Sequence, residues 1–165
     1  MEWYPFDLHP EYPPEGVPRT RHSERTGQMI EEAGFTYAPP PDRISNSRGA
    51  LQLAELAREE GKHDEAHRAL FQAYWSEGRD IGDLDVLRDV ATAVGLEVEE
   101  ALPAVREERF LDRILGSTGV AVESGVDGVP AWVLDGKFLL PGAQPHEVFD
   151  RAMAHLGHEP VAAGD

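Results

Sequence analysis

The sequence contains no cysteine among its 165 residues. This absence excludes disulfide bonds, a thiolate nucleophile, iron–sulfur clusters and cysteine-ligated zinc from the chain itself. Basic residues are also scarce: 15 Lys and Arg stand against 31 Asp and Glu, and the formal net charge is −16. Such a charge repels phosphate backbones and anionic lipids, so we expect no nucleic-acid partner and no membrane-surface role.

Long apolar runs are missing too. No stretch approaches the ~20 residues of a membrane-spanning helix. Met1–Phe6 lacks the basic and then apolar pattern of a signal peptide, so a cytoplasmic location is expected. Apolar residues make up 41% of the chain and charged residues 28%, which is ordinary for a globular protein. The length favours one domain over residues 1–165.

Helical periodicity dominates the middle of the chain. Apolar residues recur at helical spacing, and glycines mark the helix ends. The pattern predicts helices at about 46–60, 63–76, 83–94 and 104–115, the last extending toward 123. Pro103 is expected to separate a short turn from the last of these helices. A weaker helix is predicted over 19–33.

The last forty residues change to a β pattern. Val129–Leu134 is rich in β-forming residues, and Asp135-Gly136 predicts a two-residue hairpin turn before a return strand at Lys137–Leu140. A final helix follows Gly142–Pro145, and residues 159–165 form a polar tail. At the other end, the aromatic Met1–Phe6 predicts a short strand.

Eleven residues on these apolar stripes are expected to be mainly core. They are Leu51, Leu53, Leu70, Phe71, Leu87, Val90, Leu111, Trp132, Val133, Phe138 and Phe149. His63 and His67 have the i, i+4 spacing that can place two imidazoles on one metal. No third ligand is indicated, so we expect no metal site.

Five short segments, taken together in their order along the chain, are more specific than any one of them alone. They are Trp3–Pro10, Leu70–Ile81, Gly125–Pro130, Val133–Gly136 and Gly142–Pro145. In this order and spacing they resemble the DsbA family of thioredoxin-fold proteins, most closely its FrnE-like branch. The resemblance implies an α/β thioredoxin-like fold with a large helical insertion. Residues 1–10 and 126–158 would form the thioredoxin-like part, and about 19–124 the insertion.

The resemblance also implies a substrate-binding loop at Val129 and Pro130. In this family the peptide bond before that proline is cis, and the backbone of the preceding residue pairs with an extended substrate. Trp132, Tyr74 and Trp75 are candidate groove residues, although core packing is the commoner role of such aromatics.

Members of the family begin with a strand that leads into a helix carrying Cys-x-x-Cys, whereas this chain begins at what resembles the second strand. The first strand, which is central in the fold, is therefore expected to be missing. Either a second chain fills the slot, or Met1–Phe6 moves away from Ala131–Leu134 and the hairpin becomes a sheet edge. Self-association is expected in consequence.

Three interpretations of function follow. The first is a DsbA-like, FrnE-like thiol–disulfide oxidoreductase domain that is redox-inactive as written, with protein or small-thiol substrates. The second is a non-catalytic module that binds a peptide or partner. The third is a relative of the glutathione-dependent 2-hydroxychromene-2-carboxylate isomerases. By resemblance, these enzymes share the scaffold and act with a serine at the start of the first helix. No cofactor is expected, no catalytic residue is assigned in this chain, and whether it is an enzyme stays open.

Overall fold

A computed structural model describes residues 1–20 and 24–158. The predicted tail at 159–165 lies outside the described residues. The coordinates divide into two compact units, Met1–Ser117 and Thr118–Asp165, called here the helical unit and the hairpin unit. No helix in the described part of the chain is long and apolar enough to cross a membrane.

The helical unit is built from short helices and one very small sheet. Strand β1 pairs antiparallel with strand β2. A π-helical turn, Gln72–Ser76, continues the third helix, and the last residues of the sixth helix belong to the hairpin unit. The elements are β1 (Val17–Pro18), α1 (Glu24–Glu32), β2 (Arg43–Ile44), α2 (Arg48–Glu59), α3 (His63–Phe71), α4 (Leu84–Ala93), α5 (Val98–Arg106) and α6 (Leu111–Glu123).

Helix α2 is the centre of this unit. Ala50 and all residues from Gln52 to Ala57 are buried, because α3, α4 and α5 all pack against this helix. Fully buried apolar side chains from each of these helices form one cluster. Its members include Leu53, Leu70, Leu87, Val90, Phe110 and Ile114. The prediction that Phe71 belongs to the core is wrong. Phe71 is the last residue of α3 and is 55% exposed.

Pro103 does not separate two elements as predicted. It lies inside α5, where its missing N–H would have bonded the carbonyl of Glu99. Glu99 is exposed, so water can satisfy that carbonyl. Helix α5 ends instead at Arg106, and Glu108 adopts a φ of 50° before α6 begins.

The strand predicted at Met1–Phe6 is also wrong. The segment carries no regular secondary structure. Its Trp3 and Pro5 carbonyls accept hydrogen bonds from the side chains of Arg58 and Ser117, and not from the backbone of a neighbouring strand.

The hairpin unit contains strand β3 (Ala131–Leu134), strand β4 (Phe138–Pro141) and helix α7 (His146–His155). Leu134 pairs with Phe138, so the connection has three residues and not the predicted two, and the return strand starts one residue later. Asp135 and Gly136 have φ values of 52° and 64° as expected for this dipeptide, and Lys137 N–H closes the turn on the Leu134 carbonyl at 3.0 Å.

Burial in the hairpin unit is light. Among residues 118–158 only Val126 is fully buried, and α7 buries none of its residues. Trp132, Phe138 and Phe149 are half-buried. Val133, predicted as core, is 61% exposed, because its side chain lies on the strand face opposite Trp132.

Candidate functional site: an open strand edge beside Pro130

The Val129–Pro130 peptide bond is cis, as the family resemblance implies. Both residues are exposed, Val129 to 52%. Immediately after them the chain enters β3. The loop thus leads directly into a strand that is hydrogen-bonded on one side by β4.

The other side of β3 is open within the described part of the chain. The Pro130 carbonyl accepts from Gly142 N–H at 2.7 Å, so it points toward the β4 side. Backbone groups alternate in direction along a strand, and those of Ala131 and Val133 within β3 therefore point outward. Within residues 118–158 of the hairpin unit, no hydrogen-bond partner for these outward groups occurs.

The two faces of the hairpin differ. Trp132 packs edge-on against Phe149 of α7, with ring centroids 5.3 Å apart, and Phe138 packs in the same way against His155 at 5.4 Å. Helix α7 therefore covers this face. Ala131 and Val133 share the opposite face by the two-residue period of a strand. The predicted site residues Val129, Pro130 and Trp132 thus belong to one loop and strand.

Tyr74 and Trp75 lie in the π-helical turn of the helical unit, with ring centroids 4.9 Å apart. The Tyr74 hydroxyl is hydrogen-bonded by Arg19 Nη2, and the Trp75 carbonyl accepts from Ala38 N–H at 2.8 Å. Both residues hold the segments on either side of α1 against the end of α3. The role of their rings in a groove stays a prediction.

A second cluster was missed by sequence reasoning. Residues 1–7, here called the anchored segment, are fixed to the helical unit by side chains far away in sequence. The Trp3 ring stacks on His67 with centroids 4.6 Å apart, the Pro5 carbonyl accepts from Ser117 Oγ at 2.7 Å, and buried Asp7 accepts from Arg48 Nη2 at 3.1 Å. No periodicity in the sequence indicates such contacts.

Glu55 organises the base of this cluster. Its carboxylate is 1% exposed and accepts from Arg58 Nε at 3.1 Å and from Arg113 Nη1 at 3.2 Å. Two guanidinium groups compensate the buried charge, which is the condition for placing a carboxylate there. Arg58 Nη2 in turn donates to the Trp3 carbonyl at 2.6 Å, so Glu55 orients the residue that holds the anchored segment.

The two helix α3 histidines lie within this cluster. Their ring centroids are 5.8 Å apart, and Arg58 Nη2 is 3.0 Å from His63 Nε2. Burial, and then the neighbouring His63, lower the pKa of His67 below 6.5. No group of three or more metal-ligating side chains occurs in the described ranges.

A hairpin that follows a cis X-Pro bond and packs on a terminal helix is the arrangement of thioredoxin-like domains. The DSBA-like thioredoxin domain model matches residues 1–154. The chain therefore belongs to the DSBA-like thioredoxin domain family.

Relatives of this chain include the uncharacterized protein YwbO of Bacillus subtilis (strain 168). The two are 27% identical over 164 residues, which cover 93% of this chain and 80% of YwbO. The alignment with YwbO thus spans nearly the whole of this chain and leaves part of YwbO unmatched.

Two solved structures share the fold. The probable DsbA oxidoreductase SCO1869 from Streptomyces coelicolor matches with a TM-score of 0.80 at 23% identity, covering 97% of this chain and 77% of that one. A 2-hydroxychromene-2-carboxylate isomerase matches with a TM-score of 0.69 at 22% identity, covering 81% and 64%. The DsbA-like thioredoxin fold expected from the sequence is confirmed.

Proposed function

We propose that this chain is a FrnE-like DsbA domain that binds an extended peptide or partner segment at the open edge of β3, and that its 165 residues carry out no thiol chemistry. The observation that carries the proposal is the pair of outward backbone positions Ala131 and Val133, which directly follow the exposed Val129–Pro130 loop. Such outward groups are what an extended peptide needs in order to add a strand.

The side chains around the edge suit this role. Val129 and Val133 are both exposed, and Val133 lies on the face of β3 where alternate side chains of an added strand would lie. Hydrogen bonds from the backbone supply affinity, and apolar contacts with the two valines supply preference. A net charge of −16 disfavours strongly acidic peptides.

The absence of thiol chemistry follows from the zero cysteine count. Disulfide exchange proceeds by attack of a thiolate, and no other side chain substitutes for it. The purified 165-residue chain should not accelerate the reduction of insulin by dithiothreitol above the buffer rate. A clear acceleration would contradict this part of the proposal.

Peptide binding is tested by fluorescence anisotropy with a fluorescein-labelled, S-carboxymethylated insulin B chain, which is extended and has no free thiol. Val133→Pro removes an N–H that points away from β4, so the hairpin keeps its own hydrogen bonds. We expect Val133→Pro to weaken binding by at least about tenfold, which corresponds to ~1.4 kcal/mol.

Val133→Thr is the matched control, because it keeps the N–H and a β-branched side chain. Its affinity should stay close to that of the original chain. Equal binding by the Pro and Thr variants, each with an unchanged far-ultraviolet circular dichroism spectrum, would overturn the proposed edge. Absence of any binding by the original chain would do the same.

The same edge also supports self-association, because an open strand is a template for a second copy. Light scattering on the chain without peptide should show a dimer that Val133→Pro weakens and Val133→Thr does not. A monomer at all protein concentrations would refute self-association and leave the peptide experiment to decide the rest.

A further inference from the structure

We propose that protonation of the His63 and His67 pair releases residues 1–4 from the helical unit, so that this end of the anchored segment is a pH-sensitive latch. The inference concerns the helical unit alone and is independent of peptide binding at β3.

The first argument is the hydrogen bond between Arg58 and His63. A guanidinium has donors and no acceptor, so His63 Nε2, 3.0 Å from Arg58 Nη2, must accept and carry no proton. Arg58 Nη2 also donates to the Trp3 carbonyl at 2.6 Å. A proton on His63 Nε2 would place two positively charged donors face to face at the atom that holds Trp3.

The second argument is the position of His67. Its ring stacks on Trp3 and contacts Phe71, each at a centroid distance of 4.6 Å, with His63 on the same helix face. A charge on His67 would be partly desolvated and would face the His63 ring. His67 thus contacts Trp3 directly, whereas His63 is linked to Trp3 through Arg58.

Negative groups near the pair do not offset these charges. Glu55 of α2 is already bonded by Arg58 and by Arg113 of α6. Asp64 of α3 is 3.7 Å from His63 Nδ1 but 72% exposed. On the anchored segment, Glu2 hydrogen-bonds Tyr4 and raises the pKa of that phenol. Among the described residues that contact the pair, Arg58 adds a positive charge, which it keeps at every relevant pH.

The direction of the pH effect follows from linkage. The pKa of His67 is lowered below 6.5 in the closed state, so the open state binds protons at higher pH than the closed state. The closed latch is therefore fully favoured above about pH 6.5 and is lost as the pH falls below that value. Each additional proton bound on opening shifts the equilibrium by at most about tenfold per pH unit. Asp7 and Arg48 remain paired, so opening hinges near Pro5.

The experiment is ¹⁹F NMR of the full chain labelled with 5-fluorotryptophan, titrated from pH 8 to pH 5. Trp3→Phe assigns the Trp3 resonance among the three tryptophans. The H₂O–D₂O solvent-isotope shift of that resonance measures its exposure to water, which a nearby charge alone does not change. We expect this isotope shift to increase below pH 6.5 while those of Trp75 and Trp132 stay constant.

The double variant His63→Gln/His67→Phe keeps an acceptor for Arg58 and a ring for Trp3 but has no proton to gain at either position. Its Trp3 isotope shift should not vary with pH. His9→Gln is the control, because His9 lies in the same part of the chain and stacks on Tyr12 instead. A constant Trp3 isotope shift in the original chain, or the same increase in the double variant, would overturn the latch.

Discussion

Helices α2 and α7 have similar lengths, 12 and 10 residues, but very different surroundings. Helix α2 buries seven residues, including Gln52 and Glu55, whereas α7 buries none. The same contrast holds for the two units, since the fully buried apolar cluster lies in the helical unit. We therefore expect most of the stability of the chain to come from the helical unit, whose helices hold this cluster.

The largest test of this contrast is Leu53→Ala. Leu53 is 0% exposed at the centre of α2, and its loss leaves a cavity among helices that cannot all move in. We expect the free energy of unfolding to fall by about 2–5 kcal/mol. Urea unfolding followed by circular dichroism measures this, and Leu115→Ala, at a leucine that is 42% exposed, is the matched control. Equal losses for both variants would contradict the assigned core.

The buried carboxylate gives the next effect. Glu55→Gln keeps the size of the side chain but removes the charge that two arginines share. We expect a loss of about 1–3 kcal/mol in the same unfolding experiment. Hydrogen exchange should also quicken at the start of the chain, because Arg58 loses its orientation toward the Trp3 carbonyl. Glu59→Gln, at the half-exposed partner of Arg113, is the control, and a larger loss for that variant would refute the role of Glu55.

A smaller effect is expected at the N-terminus of α4. Asp83 Oδ1 accepts from Asp85 N–H at 2.8 Å, whereas α7 begins at Pro145 with no side-chain cap. Asp83→Ala should lower the free energy of unfolding by about 0.5–2 kcal/mol, and Asp83→Asn, which keeps the acceptor, should restore most of it. Thermal unfolding of the two variants distinguishes these outcomes. Identical melting temperatures would show that the cap contributes nothing.

The smallest effect completes the contrast between the units. Val133→Ala removes the same atoms as Val90→Ala, but Val133 is 61% exposed and Val90 is 4% exposed. We expect the hairpin variant to stay within about 0.5 kcal/mol of the original chain. Val90→Ala should cost clearly more in parallel urea titrations. A larger loss at Val133 would mean that the β3 face contributes to stability in solution.

The sequence predicts the helices well where local signals agree. Gly61 and Gly95 have φ values of 70° and 71° and follow α2 and α4 as expected, and the Asp135-Gly136 turn was located correctly. These positions need left-handed backbone conformations, which few residues other than glycine adopt without strain. The local sequence therefore predicts these positions without reference to any tertiary contact.

The rest depends on contacts that no local pattern encodes. Gln52 and Glu55 look like surface residues of an amphipathic helix, yet both are buried because α2 is surrounded by other helices. Gln52 is held there by Phe110 N–H, 58 positions away. Val129 and Pro130 came from family resemblance alone, and the open edge beside them emerged only from the register of β3 with β4.

The contact between Pro5 and Ser117 spans 112 positions. During synthesis from the N-terminus, Asp7 can reach Arg48 and Trp3 can reach Arg58 and His67 long before α6 has been made. The Ser117 contact closes last, because it must wait for nearly the whole helical unit to leave the ribosome. The Pro5 carbonyl therefore gains its partner only when the helical unit is nearly complete, although its neighbours Trp3 and Asp7 can find theirs much earlier.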